Sequence, residues 1–381
     1  MKKRILPLFL ALSMMLAITG CAGGDNTPTQ PTTPTTAAET VEPDAPDEPD
    51  ELIVAEDIPE TGVIRWNWGT SGNVLVVIAE TRGYFEEYGL TIENVPATAI
   101  ADAMMLLTTG QVDIVSNSGT AGPLQRIASG EDLVSFGGHM VTGAMPVIAL
   151  TGTEWNGVQS LIGSRFAARP SFFAFTGAIM DLGYDDPLDV VDWVIHPSYP
   201  DAFAALLRGE VDYALMGTGQ NFLVQNTPEV EIVSWHSEIM PNYSCCRLVA
   251  NREFIENNPT TVRLMLQALI RAQMWFEDNR EESVALLAES VGVPEDFVAS
   301  FMLNEERYVL SADPLKNATV RAWNILETTG FLDENARDID ILNHINTELF
   351  EQALNNVIEN HGNENPAFFN ELQTFFQAEN R

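Results

Sequence analysis

Little in this sequence is spaced for bond-making chemistry. The five histidines are dispersed, and no Ser-His-Asp spacing, metal-ligand cluster or Gly-rich phosphate loop stands out. His139, His196 and His236 fall at or near predicted strand ends, where a structural, hydrogen-bonding histidine is commoner than a catalytic one. The paired acids Glu86-Glu87 and Glu281-Glu282 read as solvated helix faces. Apart from Cys21, the cysteines are the neighbours Cys245 and Cys246, which exclude a disulfide framework and lack zinc-site spacing. They read as buried small residues on a strand, with a strained vicinal disulfide as the alternative. What remains is chemistry of contact: short hydroxyls, amides and exposed backbone on small-residue loops, with aromatic rings nearby.

Those loops belong to a repeat. Asp102 to Val115 reads D-A-M-M-L-L-T-T-G-Q-V-D-I-V, and ninety-nine positions later Asp201 to Ala214 reads D-A-F-A-A-L-L-R-G-E-V-D-Y-A. In each copy the aspartate is placed to cap an apolar helix, a glycine suits the left-handed position past its end, and a short apolar strand follows. Each strand runs into a small-residue loop, Ser116 to Gly119 and Gly217 to Gly219. A strand-loop-helix unit precedes them: Val63 to Trp68 reads as a strand, Gly69 to Asn73 as a Gly/Ser/Thr loop and Val74 to Thr81 as a helix. Such a loop either offers backbone N–H groups to an anionic or polar ligand group or is satisfied by its own cap. Ligands of open α/β sheets sit beyond the carboxyl ends of the strands, so two α/β lobes with matching loops would form a cleft; equally, helix-Gly-strand is how α/β proteins are ordinarily built.

At 381 residues with 45% apolar content, the chain is long enough for two domains with proper cores. A net charge of -35 argues against nucleic acid and against docking on anionic lipid. Met1 to Cys21 has the form of a secretory signal: Lys2, Lys3 and Arg4, then an apolar stretch too short to span a membrane comfortably, then Ile18-Thr19-Gly20-Cys21. A small residue directly before a cysteine resembles a bacterial lipobox, with Cys21 lipidated. Residues 22–62, Pro/Thr-rich and then acidic, read as an extended tether with too little apolar surface to fold.

From the end of the Val74 to Thr81 helix onward, the order of motifs becomes specific. Thr81-Arg82-Gly83-Tyr84-Phe85-Glu86-Glu87-Tyr88-Gly89-Leu90, a strand from Thr91 to Val95 and the first repeat copy together resemble the periplasmic substrate-binding proteins of ATP-binding-cassette importers. The similarity is to the branch that binds nitrate, sulfonates, taurine and thiamine-pyrimidine precursors. Gly137 to Leu150 resembles the strand pair leaving the first lobe, Leu161 to Ala168 the entry to the second, and Pro241 to Ala250 the strand crossing back. Asp189 to His196 and Val230 to Trp235 read as second-lobe strands, and Asn258-Pro259 as the cap and first turn of a helix. Where the family has a small-residue loop in the second lobe, this chain has Arg169-Pro170-Ser171-Phe172-Phe173. The resemblance covers roughly residues 63 to 358.

It implies an α/β, two-lobed periplasmic-binding-protein fold (type II-like) with a two-stranded hinge. The expected division is a signal (1–21), a tether (22–62), lobe 1 (63–151 and 242–335), lobe 2 (152–241) and a C-terminal helical extension (336–381). The implied function is an extracytoplasmic solute-binding lipoprotein. It would be a monomer without cofactor or metal, tethered to the membrane at the cell surface or in the periplasm, and would hand a small molecule to a permease with its ATPase subunit. Scarce cations and plentiful aromatics point to a heterocycle or an organic sulfonate. The expected ligand contacts are Trp68, Gly69, Ser71, Ser116, Asn117, Ser118, Thr120 and His139 from the first lobe. Arg169, Ser171, Phe172, Gly217, Thr218 and Gln220 come from the second, with Asn242 and Tyr243 at the hinge. The alternatives are a thiamine-pyrimidine synthase-like enzyme, of whose cysteine-rich motif Cys245-Cys246 would be a fragment, and a surface ligand sensor.

Overall fold

The computed structural model describes residues 57–68, 72–97 and 100–381. Cys21, the signal and most of the tether, and the expected contacts Gly69 and Ser71, lie outside them. The described strands are β1 (Val63–Asn67), β2 (Thr91–Asn94), β3 (Ile114–Val115), β4 (Leu133–Gly143), β5 (Pro146–Leu150), β6 (Arg165–Ala167), β7 (Asp192–Trp193), β8 (Tyr213–Leu215), β9 (Val230–Trp235), β10 (Cys246–Asn251) and β11 (Tyr308–Leu310). They form two sheets, ordered β11-β4-β10-β3-β1-β2 and β7-β6-β8-β5-β9.

The two orders are variations of one plan. Three strands run parallel in each, β2-β1-β3 and β7-β6-β8. Beside each trio lies an antiparallel strand that arrives from the other half of the chain, β10 in the first sheet and β5 in the second. The chain changes sheet between Gly143 and Pro146 and returns after β9, which makes two α/β lobes joined by two crossing strands.

The sequence repeat is a repeat in three dimensions. In the first lobe the Arg65 guanidinium grips Asp113 through Nε (3.1 Å) and Nη2 (2.5 Å), while the Arg65 backbone N–H also donates to Asp113 (2.8 Å). In the second, Arg165 holds Asp212 by the same three bonds at 3.1, 2.6 and 2.8 Å. A further Nη1 donates to Gly110 O and to Gly209 O, each at 2.9 Å. Those glycines sit at φ 68° and 69°, the left-handed region that closes a helix at least cost when no Cβ is present. Each arginine thereby ties the first strand of its lobe to the helix end and strand that follow.

Several local expectations are corrected. The aspartates Asp102 and Asp201 lie inside the helices Ile100–Thr108 and Tyr199–Leu207 and not before them, and Ser198 caps the second by accepting from Asp201 N. Asn258 does not cap the Pro259–Asp278 helix either; its amide donates to Phe254 O (2.9 Å), closing the helix before. Glu60, two hundred residues upstream, caps instead by accepting from Thr260 N (3.0 Å) and Thr261 N (2.7 Å). Burial opposes its charge, but these bonds prevail and pull the Glu60 carboxyl down to about 2. The strand expected over Asp189 to His196 pairs only at Asp192–Trp193, and a further edge strand, β11, lies between the helices Glu295–Met302 and Lys316–Thr328.

The first core cluster packs β1 and the Val74–Thr81 helix against the Pro259–Asp278 and Glu348–His361 helices. A second cluster runs between the lobes: Trp323 and Leu326 of the Lys316–Thr328 helix join Leu124 and Ile127 of the first lobe to Phe173 and Phe175 of the second. A third, around Ile148, Leu206 and Ala214, belongs to the second lobe. No helix among the described residues is long and apolar enough to cross a membrane.

Candidate functional site

The loops after β3 and β8 both lead to the crossing strands. After β3, Asn117 donates to Gly72 O (3.0 Å) and its Oδ1 lies 3.4 Å from Cys246 Sγ. The Thr120 hydroxyl donates to Ser244 O just before β10. After β8, the Thr218 hydroxyl donates to Gly143 O (2.6 Å) at the end of β4. Gly143 is where these contacts meet, since a Cβ there would stand 2.7 Å from Thr218 Oγ1 and 3.6 Å from Cys245 Sγ. The repeat loops are therefore held on opposite sides of one crossing.

Aromatic rings line the second-lobe side. A Cβ on Gly217 would come within 2.3 Å of the Tyr199 ring, so only glycine lets that ring lie on the loop. Burial pushes the Tyr199 phenol up to about 12, with Cys245 nearby adding to the rise and Arg169 opposing it. The Tyr243 ring stacks on Phe173 (4.3 Å, 22°) and meets the His236 edge at 4.1 Å. Burial, then the neighbouring thiols and Tyr199, hold its phenol well above the ordinary range. Arg169 is exposed and, among the described residues, has no carboxylate in an ion pair. Its carbonyl accepts from Phe172 N (2.9 Å), a turn that presents half-buried Ser171 and Phe172.

Other expected contacts are placed elsewhere or already engaged. Trp68 is buried in the first lobe's core. The fully buried Ser116 hydroxyl accepts from Trp66 Nε1 (3.0 Å) and Asn73 Nδ2 (3.1 Å), so it braces the lobe from within. The Asn73 side-chain oxygen also accepts from Leu75 N (3.1 Å) and Val76 N (3.4 Å), so the donors that might have served a ligand are taken by the helix's own cap. Ser118 is buried in its loop. His139 is buried within β4; burial, and Arg247 nearby, bring its imidazole down to about 3 and keep it neutral. Asn242, at φ 48°, faces away, donating to Glu379 Oε1 (2.7 Å) on the C-terminal helix. Gln220 begins the short Asn221–Gln225 helix without a side-chain cap.

The lobes touch beyond these loops as well. Asn221 and Ser300 exchange hydrogen bonds between the second lobe and the Glu295–Met302 helix, and Arg307 pairs with Glu238 at 2.6 Å. A Cβ on Gly219 would meet the Phe297 ring at 2.5 Å. Two surface cavities, of about 440 and 470 Å³, are lined around Ser300 and around Arg321, by none of the expected contact residues. Nothing local in the sequence marks Tyr199, Phe297 or Gly143, whereas Cys245 and Cys246 stand out in it as neighbours without showing where the fold puts them. The arrangement offers hydroxyls, amides, stacked rings and one unpaired guanidinium, which suits noncovalent capture of a small polar or aromatic molecule. No group of three or more His, Cys, Asp or Glu among the described residues is placed to hold a metal ion.

A family model described as NMT1/THI5 like matches residues 73–283. The 4-amino-5-hydroxymethyl-2-methylpyrimidine phosphate synthase of Schizosaccharomyces pombe is 22% identical over 226 residues, which are 55% of this chain but only 63% of that enzyme. Among solved structures, the periplasmic aliphatic sulphonate binding protein SsuA of Escherichia coli superposes with a TM-score of 0.63 at 19% identity, covering 75% of this chain and 92% of its own. The periplasmic nitrate-binding protein NrtA of Synechocystis PCC 6803 gives 0.59 at 13% identity, covering 78% and 90%. The fold is thus the two-lobed one of periplasmic binding proteins, as the order of motifs implied.

Proposed function

Because the chain belongs to the NMT1/THI5-like family, we propose that it is an extracytoplasmic solute-binding protein of an ATP-binding-cassette importer. It captures a small organic solute between its lobes and delivers it to a membrane permease. In this reading it is a monomer, not an enzyme, and is anchored by lipid at Cys21 through the Pro/Thr and acidic tether, with the lobe boundary drawn where the chain changes sheet. One observation supports it above others: the equivalent loops of a repeated unit are each bonded to a segment that crosses between the sheets, so a ligand touching both would be held only when the lobes close.

The residues present favour a solute with a flat or apolar body and one polar or anionic group. Arg169, Ser171 and Thr218 meet the polar group, and Tyr199, Phe172 and Tyr243 contact the body, whereas Ser116, Trp68 and His139 shape the site from behind. Similarity to the S. pombe enzyme favours a second reading, synthesis of a pyrimidine compound on the same fold. A thermal-shift screen over sulfonates, nitrate, pyrimidines, flavins and polyamines, followed by small-angle scattering with the best hit, tests the proposal. A smaller radius of gyration with the ligand recovered unchanged is expected. Unchanged dimensions at saturation would remove the hinge mechanism, and chemical conversion of the hit would favour the enzyme.

A further inference from the structure

Solute capture makes no use of the thiols of Cys245 and Cys246, yet the pair occupies the crossing itself. The two sulfurs are free and 3.8 Å apart. Cys246 is buried, with Sγ 3.4 Å from Asn117 Oδ1, and the Gly119 backbone N–H donates to it, so its sulfur fastens the loop after β3 to the returning strand. Cys245 is half-buried beside Gly143, facing the second-lobe loop. The backbone here is already irregular. Asn242 and Ser244 take φ 48° and 65°, and the pairing of β10 with β4 shifts register directly after Cys246. A segment without a regular ladder is the one most able to adopt the tight ring that adjacent bonded cysteines require.

We propose that Cys245 and Cys246 form a redox-active dithiol, which a low-molecular-weight disulfide oxidises to a vicinal disulfide, releasing the loop 116–120 from the returning strand. Ionisation leaves the pair one proton, shared across the 3.8 Å gap. Cys245, the sulfur a reagent reaches, passes the shared proton to the Cys246 thiolate and attacks one sulfur of RS–SR; a mixed disulfide forms and RS⁻ leaves. Cys246 gives its proton to that RS⁻, attacks the Cys245 sulfur and expels the second RS⁻, which takes a proton from water. The pair has lost two electrons, and RS–SR has become two RSH. With Cys245 taken up in the mixed disulfide, the Gly119 N–H and the Arg247 guanidinium remain to stabilise the Cys246 thiolate against the cost of burial in the resolving step. Closing the gap to about 2.05 Å moves the sulfurs by roughly 1.8 Å in all, too far for Cys246 to keep its contacts with both Asn117 and Gly119.

The test is incubation of the full chain with oxidised glutathione, then peptide mapping of the segment carrying both cysteines and hydrogen exchange at Gly119. The expected result is a peptide that has lost two hydrogens and carries no adduct, restored by dithiothreitol, with faster exchange of the Gly119 amide in the oxidised form. Cys246→Ser should stop at a persistent glutathione adduct on Cys245. Wild-type protein that keeps both thiols, or keeps the adduct, would overturn the dithiol, and unchanged Gly119 exchange after full oxidation would overturn the release of the loop.

Discussion

At the carboxyl end of β1, Asn73 caps the helix that follows and holds the Ser116 hydroxyl, so this lobe spends its loop donors on itself. At the matching end of β6, the Phe173–Asp181 helix starts at Phe172 without a side-chain cap, and Arg169 is exposed without an ion pair. The chain was duplicated in plan but not in chemistry. One lobe is braced from within, and the other has an uncapped helix start beside an exposed cation without an ion pair. A polar ligand group should therefore bind the second lobe first, with closure bringing up the first.

The largest effect we expect concerns a feature each half carries once, a buried neutral histidine: His139 in β4 and His236 after β9, both brought down to about 3 by burial, His139 with a contribution from Arg247. A lowered folded pKa means the unfolded chain binds more protons below its ordinary value near 6.5, so stability falls as pH drops from there toward 3. Asp313 opposes this, because burial raises its carboxyl to about 6 and the folded state binds the extra proton between about 4 and 6. Two histidines against one aspartate leave a net loss of roughly 1.4 kcal/mol per pH unit from 6 to 4, about 3 kcal/mol in all. Denaturant titrations at pH 6, 5 and 4 measure it, and His139→Gln and His236→Gln should each remove a similar share. A slope carried by one histidine alone would break the symmetry.

The matched arginine pairs give the next effect. Asp113 has 13% of its side chain exposed and Asp212 39%, with otherwise equivalent bonds. Asp113→Ala should cost about 2 to 3 kcal/mol and Asp212→Ala about 1 kcal/mol, since solvent screens the second pair more fully. Equal losses in urea melts would mean that the bonds to the backbone, not the charge pair, set the cost.

Exchanging the roles of the two loops sharpens the contrast. Asn73→Ala should lower stability by about 1 to 2 kcal/mol through the lost cap and the stranded Ser116. Arg169→Ala should leave stability within about 0.5 kcal/mol but weaken binding of an anionic hit about tenfold, less so at high salt. Calorimetry showing salt-independent, unchanged affinity would take the polar group out of the second lobe. The smallest effect belongs to Arg307→Met, which removes the exposed pair with Glu238 at a cost of about 0.5 kcal/mol. In scattering it should only shift the ligand-free protein toward the more open form.

Much of the architecture was legible in the residues, because it rests on local rules. The Val74–Thr81 helix and the β9 strand appear with the bounds read from the sequence, and the glycines after the repeat helices are left-handed as expected. Helix periodicity, strand length and backbone freedom at glycine act over a few residues, so a single sequence carries them. The aspartates of the repeat were visible but misassigned. Asp102 and Asp201 have the spacing of helix caps, whereas the repeat aspartates that tie each lobe together, in Arg65–Asp113 and Arg165–Asp212, join residues 48 and 47 positions apart.

What only the tertiary structure decided is which polar groups remain free. Ser116 looks like a ligand hydroxyl until Trp66 and Asn73 are seen to occupy it, and the Pro259 helix looks self-capped until Glu60 arrives from two hundred residues away. The Tyr199 ring lies on the loop after β8 because Gly217 leaves space for it, and the two cysteines stand side by side where the chain returns to the first sheet at the start of β10. A hydrogen bond once made inside the fold is unavailable to a ligand, and its partner can lie anywhere in the chain. Residue type therefore shows what a side chain can do, while the long-range contacts of the folded chain determine whether it is still free to do it.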